Sequence, residues 1–375
     1  MAKKENSTVV QGRESAGAGD RPVSLRDVAK RCGLSVYPVS LVLSGKPGVA
    51  KVTAEQIRAV ADELGYRPEM NQAARRLALR KSGSPPLNHM IALLLPSHLG
   101  KVRFFFELFR GIAEEVSSRG FGLLVLPSYD PVAHQSLPLE LPPAVWRGEV
   151  DGLITHNWLS EEQMDRLRHT PGGRAHPVVA LNGHIEGAGS VQRDERDGAR
   201  QALEHLLALG HRRVLYMRRI GGDYPSDKRL AGYRDACATA GIHADRCLLP
   251  VGITDDHLVE DPLREALRQH PEATALLTLN DPNALHACYA IERIGIRIPD
   301  DISVVGWDDT DPLPDAAGHN RLTSVAFDIA EMGRTAARIV FEAIEVQDRP
   351  LQHVTMPARL CVRNTTAPPP ARPVT

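Results

Sequence analysis

The chain has 375 residues, 42% of them apolar, and a formal net charge of −1. That length allows two or three domains with buried cores, and the lack of any run near eighteen apolar residues excludes a membrane-spanning helix. The five cysteines (Cys32, Cys237, Cys247, Cys288 and Cys361) are scattered without a Cys-x-x-Cys pair, which argues against a disulfide framework and a zinc site and for a reducing compartment.

In chain order, residues 1–22 are polar, rich in Gly and Ser, and aperiodic, so they are expected to be disordered. No apolar run follows Met1-Ala2-Lys3-Lys4, so no signal peptide is expected and the expected location is the cytoplasm. Residues 23–70 read as one small module. Two short helical runs, Leu25–Cys32 and Val36–Leu43, flank Gly33, Leu34 and Ser35. Gly33 suits a helix end that needs a left-handed backbone, and Ser35 suits an N-cap. Val28, Ala29, Val39, Val42 and Leu43 share one face. A third amphipathic run spans Thr53–Gly65, with Ile57, Val60, Ala61 and Leu64 inward. The pattern is a helix-turn-helix, whose second helix is expected to enter a DNA major groove. Charge agrees: residues 21–82 hold twelve Lys/Arg against five Asp/Glu, a net of +7, while residues 83–375 hold thirty against thirty-eight, a net of −8. A basic module on an acidic body suits contact with nucleic acid at one end.

Residues 71–87 read as a short hinge helix and linker. From about His89 short apolar runs alternate with amphipathic ones. Strands are predicted at Met90–Leu95, Gly122–Leu126, Gly152–Thr155, Val178–Leu181, Val214–Met217, Leu276–Leu279, Ile302–Val305 and Val354–Met356. Helices are predicted at Phe105–Arg119, Glu195–Leu209, Asp227–Ala240, Pro282–Ile294 and Ile329–Val346. This alternation implies an α/β body of doubly wound parallel sheets over 88–366, with ligands at the carboxyl ends of the strands. Residues 367–375, rich in proline, are expected to be a disordered tail.

Several motifs follow one another in a fixed order: the helix-turn-helix, Leu64-Gly65-Tyr66-Arg67-Pro68, Ala73-Ala74-Arg75-Arg76-Leu77, Gly198-Ala199-Arg200 with Glu204-His205-Leu206, Arg229-Leu230-Ala231-Gly232-Tyr233, Asn280-Asp281, and Ile302 to Asp309. Together they resemble the lactose-repressor (LacI/GalR) family of bacterial transcription regulators, over roughly residues 23–366. The resemblance implies a two-lobed, periplasmic-binding-protein-like body with three crossings between lobes, placed here near Asn182, Asp309 and Val325. It also implies a ligand-responsive repressor of a pseudo-palindromic DNA operator, with a sugar or sugar derivative as effector and no cofactor. The tail carries no heptad run, so a homodimer is expected.

For DNA, the resemblance assigns base readout to Val36, Tyr37 and Leu41, and phosphate contacts to Ser35, Ser40 and Ser44. Pro38 and Leu41 depart from the family pattern. Leucine cannot fork onto guanine and favours a thymine methyl; the alternative is that Val36 and Leu41 are core residues. Leu77 matches the leucine that wedges into the minor groove, with Glu69-Met70 an apparent insertion ahead of it. For the effector, the resemblance points to Phe104 and Phe105 at the cleft mouth. It adds Arg229 and Asp281, expected on opposite walls and able to hydrogen-bond a polyol. Asn157, Asp223 and Phe327 stand at neighbouring strand or loop ends. The bland alternatives are core packing for the phenylalanines and helix capping for Asp281.

Enzyme readings fail on motifs. Pro96-Ser97-His98-Leu99-Gly100 lacks a dinucleotide fingerprint, Gly45-Lys46-Pro47 is no P-loop, and no Gly-x-Ser-x-Gly elbow occurs. The fifteen histidines lack metal-ligand spacing.

Overall fold

The computed structural model describes residues 23–43, 47–66, 87–95, 103–127, 143–146, 148–156, 161–168, 176–219, 224–242, 248–251, 260–346 and 350–371. It divides into an amino-terminal unit up to Pro86 and a body from Leu87.

In the amino-terminal unit three helices, α1 (Leu25–Cys32), α2 (Val36–Leu43) and α3 (Lys51–Glu63), bury Val28, Ala29, Val39, Val42, Ile57, Ala61 and Tyr66 against one another. A reciprocal cap starts α1: Ser24 N donates to Asp27 Oδ2 at 2.8 Å, and Asp27 N donates back to Ser24 Oγ at 3.4 Å. Gly33 ends it in the left-handed conformation, φ 69°. Leu43, Val60 and Leu64, expected inward, are half-buried at the rim of this core.

The body holds two six-stranded sheets. The first has β2 (Gly122–Pro127), β1 (Met90–Leu95), β3 (Gly152–Thr155), β4 (Val178–Leu181), β5 (Gly189–Arg193) and β11 (His353–Met356) side by side, all parallel. Its helices include α4 (Arg103–Ser118), which packs along α11 (Ile329–Glu345); the short α5 (Pro143–Trp146) and α6 (Glu161–Arg168) lie between its strands in sequence. The second sheet runs β7 (Leu248–Val251), β6 (Val214–Arg219), β8 (Ala275–Leu277), β9 (Ser303–Asp308), β10 (Thr323–Ala326) and β12 (Arg359–Cys361), parallel except for β12. Its helices are α7 (Glu195–Ala208), α8 (Tyr224–Thr239), α9 (Glu260–Gln269) and α10 (Asp281–Arg293). The central strands are continuous apolar runs because helices cover both faces; Ile91 to Leu95 are all buried.

Two lobes with three crossings result, and two of the expected crossing points are corrected. The chain leaves the first lobe at Arg193–Glu195, between β5 and α7. At Asn182 it merely ends β4, and β5 returns to the same sheet. Asp309 follows β9, and β10 pairs with β9 in the second sheet, so no crossing occurs there. The chain returns at Phe327 and Asp328, close to the expected Val325, and crosses last at residues 357–358 between β11 and β12.

The carboxyl-terminal segment also differs from expectation. Ala367 O accepts from Ser303 Oγ at 3.1 Å and from His211 Nε2 at 2.9 Å, and Ala367 N donates to Ser303 Oγ at 3.0 Å. These bonds pin the chain at Ala367 to the second lobe rather than leaving it loose. Among the described residues no helix is long and apolar enough to cross a membrane.

Candidate DNA interface and effector cleft

Helix α2 buries one side and offers another. Val39 and Val42 face the three-helix core, while Ser35, Val36 and Tyr37 are exposed, Tyr37 by 74%. Ser40 and Leu41 are half-buried. The Leu41 Cδ1 lies 3.7 Å from where a Cβ on Gly48 would sit, so it leans on the loop after α2. The amino-terminal end of α2 therefore presents an apolar–phenolic edge, with Leu41 set back from it. Ser44, Leu77 and the Glu69-Met70 insertion lie outside the described residues.

In the body the carboxyl ends of the two sheets meet where the chain crosses. On the first lobe Phe104 and Phe105 open α4, just past β1, with their rings edge-on at 5.2 Å. His156, beyond β3, sits 5.1 Å from the Phe105 ring, and Asn182 Nδ2 donates to its Nε2 at 3.1 Å. Asn182 holds a left-handed backbone, φ 57°. Its Oδ1 and the Thr155 Oγ1 are buried with no hydrogen-bond partner among the described residues.

On the second lobe the charges are interlocked. Arg229, on α8 and 4% exposed, donates from Nε (3.0 Å) and Nη2 (2.9 Å) to Glu195 Oε2 and from Nη1 to the Leu279 carbonyl. Its guanidinium lies 3.9 Å above the Trp307 ring. Burial is the largest influence and opposes the charge, but Glu195, Tyr216 and Asp308 together outweigh it and hold the guanidinium pKa above its usual value. Asp281, on α10 and 1% exposed, accepts from Ser324 Oγ at 2.6 Å, Thr310 N at 2.8 Å and Asp311 N at 3.2 Å. Burial pushes its carboxyl up to about 7 despite these donors. Gly306 makes room for it, since a Cβ there would lie 2.3 Å from Asp281 Oδ1. Asp309 is held by Arg363, Nη1 to Oδ1 at 2.7 Å.

Arg193, the last residue of β5, joins the two lobes. Its guanidinium is 5.0 Å from the ring of Phe104 and 5.0 Å from that of Phe327. It forms ion pairs with Asp308 at the end of β9 and with Glu195 at 2.5 Å. The latter is an ion contact rather than an aligned hydrogen bond, because Glu195 Oε1 has no hydrogen-bond partner among the described residues.

Of the expected effector residues, the structure thus brings Phe104, Phe105 and Phe327 around one lobe junction, and places Arg229 and Asp281 nearby. Arg229 and Asp281 do not stand on opposite walls: both belong to the second lobe. Asn157 and Asp223 lie outside the described residues. Sequence reasoning passed over Arg193, Glu195, His156 and Asp308 as site residues. Only Asp308 carried a signal, inside the Ile302–Asp309 motif. Among the described residues no cluster of His, Cys, Asp or Glu could hold a metal ion.

Residues 24–69 match the family model for bacterial regulatory proteins of the lacI family, and residues 203–366 match that of a periplasmic binding protein-like domain. The chain belongs to the LacI/GalR family. Among relatives of this family it is 29% identical to the ribose operon repressor of Halalkalibacterium halodurans, over 92% of this chain and 97% of that one. Two solved structures align over 92% of this chain and 100% of theirs at 25% identity: the transcriptional regulator CelR–cellobiose complex, with a TM-score of 0.64, and the Lac repressor dimer bound to operator and the anti-inducer ONPF, with a TM-score of 0.69.

Proposed function

We propose that this chain is a ligand-responsive, sequence-specific DNA-binding transcription regulator. It acts in the cytoplasm as a homodimeric repressor whose operator affinity changes when a sugar or sugar derivative binds between the lobes, and it catalyses no reaction. The observation that carries this reading is the union, in one chain, of a helix-turn-helix with an exposed Val36–Tyr37 edge and a two-lobed body whose strand ends converge on Phe104, Arg193 and Asp308. The ribose and cellobiose named for related proteins support a sugar as the effector class.

In this reading Ser35, Val36 and Tyr37 meet the operator first, with Ser40, Leu41, Ser44 and Leu77 completing the contact. Phe104, Phe105 and Phe327 give apolar faces for a sugar ring, and Arg229 and Asp281 fix the second-lobe wall. Selection of random duplex DNA by the full chain, followed by a thermal-shift screen of neutral sugars, tests it. An enriched half-site pair and at least one sugar that raises Tm are expected. Binding without sequence preference, together with a flat sugar screen, would refute it.

A further inference from the structure

We propose that Arg193 is a built-in occupant of the cleft: its guanidinium fills the slot between Phe104 and Phe327, and an effector enters by displacing it. This rests on the effector-cleft reading above. Four observations converge on the one side chain. Its guanidinium carbon is equidistant, at 5.0 Å, from two phenyl rings, one on α4 of the first lobe and one at the crossing into α11. Its charge is met by Asp308 of the second lobe and by Glu195 at the first crossing. The side chain is only 7% exposed. Its buried Nε has no hydrogen-bond partner among the described residues, so it is gripped by flat faces and charge without being fully satisfied.

A guanidinium is planar, weakly hydrated and able to stack on aromatic faces. A sugar ring uses the same two features: a flat apolar face against an aromatic ring, and edge donors to carboxylates. The two therefore compete for one slot. Because Arg193 spans both lobes as a ligand would, it also holds the lobes together before any effector arrives.

Displacement sets a chemical requirement. Once the guanidinium leaves, Glu195 and Asp308 lose their shared cation while Arg229 still engages Glu195 through Oε2. Hydroxyl donors of a neutral polyol can satisfy the freed carboxylate oxygens. A carboxylate or phosphate on the ligand would add like charge beside two acidic groups, which destabilises. The slot thus selects a neutral, hydroxyl-rich ring and rejects acidic sugars.

The full chain and its Arg193→Ala variant, compared by thermal shift with ethylguanidinium, D-ribose and cellobiose as probes, provide the test. Choline chloride at equal ionic strength serves as the control. Low-millimolar ethylguanidinium should raise the Tm of Arg193→Ala and leave that of the parent unchanged. A sugar that shifts the parent should bind Arg193→Ala at least about tenfold tighter, and ethylguanidinium should weaken that binding. Should Arg193→Ala fail to fold, Arg193→Gln, which keeps the stem without the charge, carries the same sugar comparison. No response of Arg193→Ala to ethylguanidinium, or sugar binding that is lost when Arg193 is removed, overturns the proposal. If ethylguanidinium acts on Arg193→Ala alone but no sugar acts on either protein, the slot assignment stands and the sugar-effector reading fails.

Discussion

On the second lobe the charged groups beside the cleft are matched within the protein: Arg229 by Glu195 and the Leu279 carbonyl, Asp281 by Ser324 and two backbone amides, Asp309 by Arg363. On the first lobe the wall is aromatic, and the Thr155 Oγ1 and Asn182 Oδ1 are buried without hydrogen-bond partners among the described residues. A matched wall has its desolvation cost offset on folding, so a ligand must compete with existing bonds there. Unmatched polar atoms cost stability until a partner arrives. Among the described residues Glu195 Oε1 and Trp307 Nε1 are the buried second-lobe side-chain atoms without hydrogen-bond partners. The Arg229, Asp281 and Asp309 bonds otherwise assign stability and rigidity to that wall, and the first lobe keeps readier ligand contacts.

The largest effect should come from Arg229→Ala. It removes both hydrogen bonds to the buried Glu195 Oε2, leaves that carboxylate only its ion contact with Arg193, and should cost about 3 kcal/mol of stability, read by denaturant unfolding of the full chain. A variant as stable as the parent that merely ignores effector would dissolve the contrast between the walls.

Next comes Asp281→Asn, through pH. With its carboxyl pushed up to about 7 against an ordinary value of about 4, Asp281 keeps its proton in the folded state over a range where the unfolded chain releases it. Its contribution to stability is therefore full below about pH 4 and is lost as pH rises through about 7. Unfolding curves across that window should show the parent losing ground to Asp281→Asn with rising pH. Parallel curves would mean that the carboxyl titrates normally.

Thr155→Val sharpens the other side. Replacing an unmatched hydroxyl by a methyl of similar shape should leave stability unchanged or raise it by about 1 kcal/mol, while any sugar response weakens. A clear loss of stability would show that Thr155 is already satisfied.

Tyr37→Ala lies outside both walls and should change stability by less than about 0.5 kcal/mol, leave sugar binding intact and lower operator affinity. Unchanged affinity for a selected operator would remove Tyr37 from the DNA interface.

How much of this was legible follows from where each signal resides. Helix α1 announces itself locally through Ser24, Asp27 and Gly33, and β1, β3 and β4 through unbroken apolar runs. By contrast β5 reads Gly-Ser-Val-Gln-Arg, β10 Thr-Ser-Val-Ala and β12 Arg-Leu-Cys, too short and polar for periodicity to reveal. Missing β5 is what displaced the first crossing to Asn182. The same gap hid the site's hub, because Arg193 ends that strand and its ion partner Asp308 lies far along the chain. Arg229 and Asp281 were reachable through family motifs. Their burial in one lobe was not, since the motifs carry identity and order but not which sheet receives each helix.

The most direct measurement is operator affinity of the full chain, on a duplex selected from random DNA, with and without a saturating sugar identified by thermal shift. The selected duplex should carry two inverted half-sites, binding should weaken steeply with salt as counterions are released, and the sugar should change affinity by at least about fivefold. An affinity that is identical with and without the bound sugar would contradict the coupling of cleft to DNA on which the account depends.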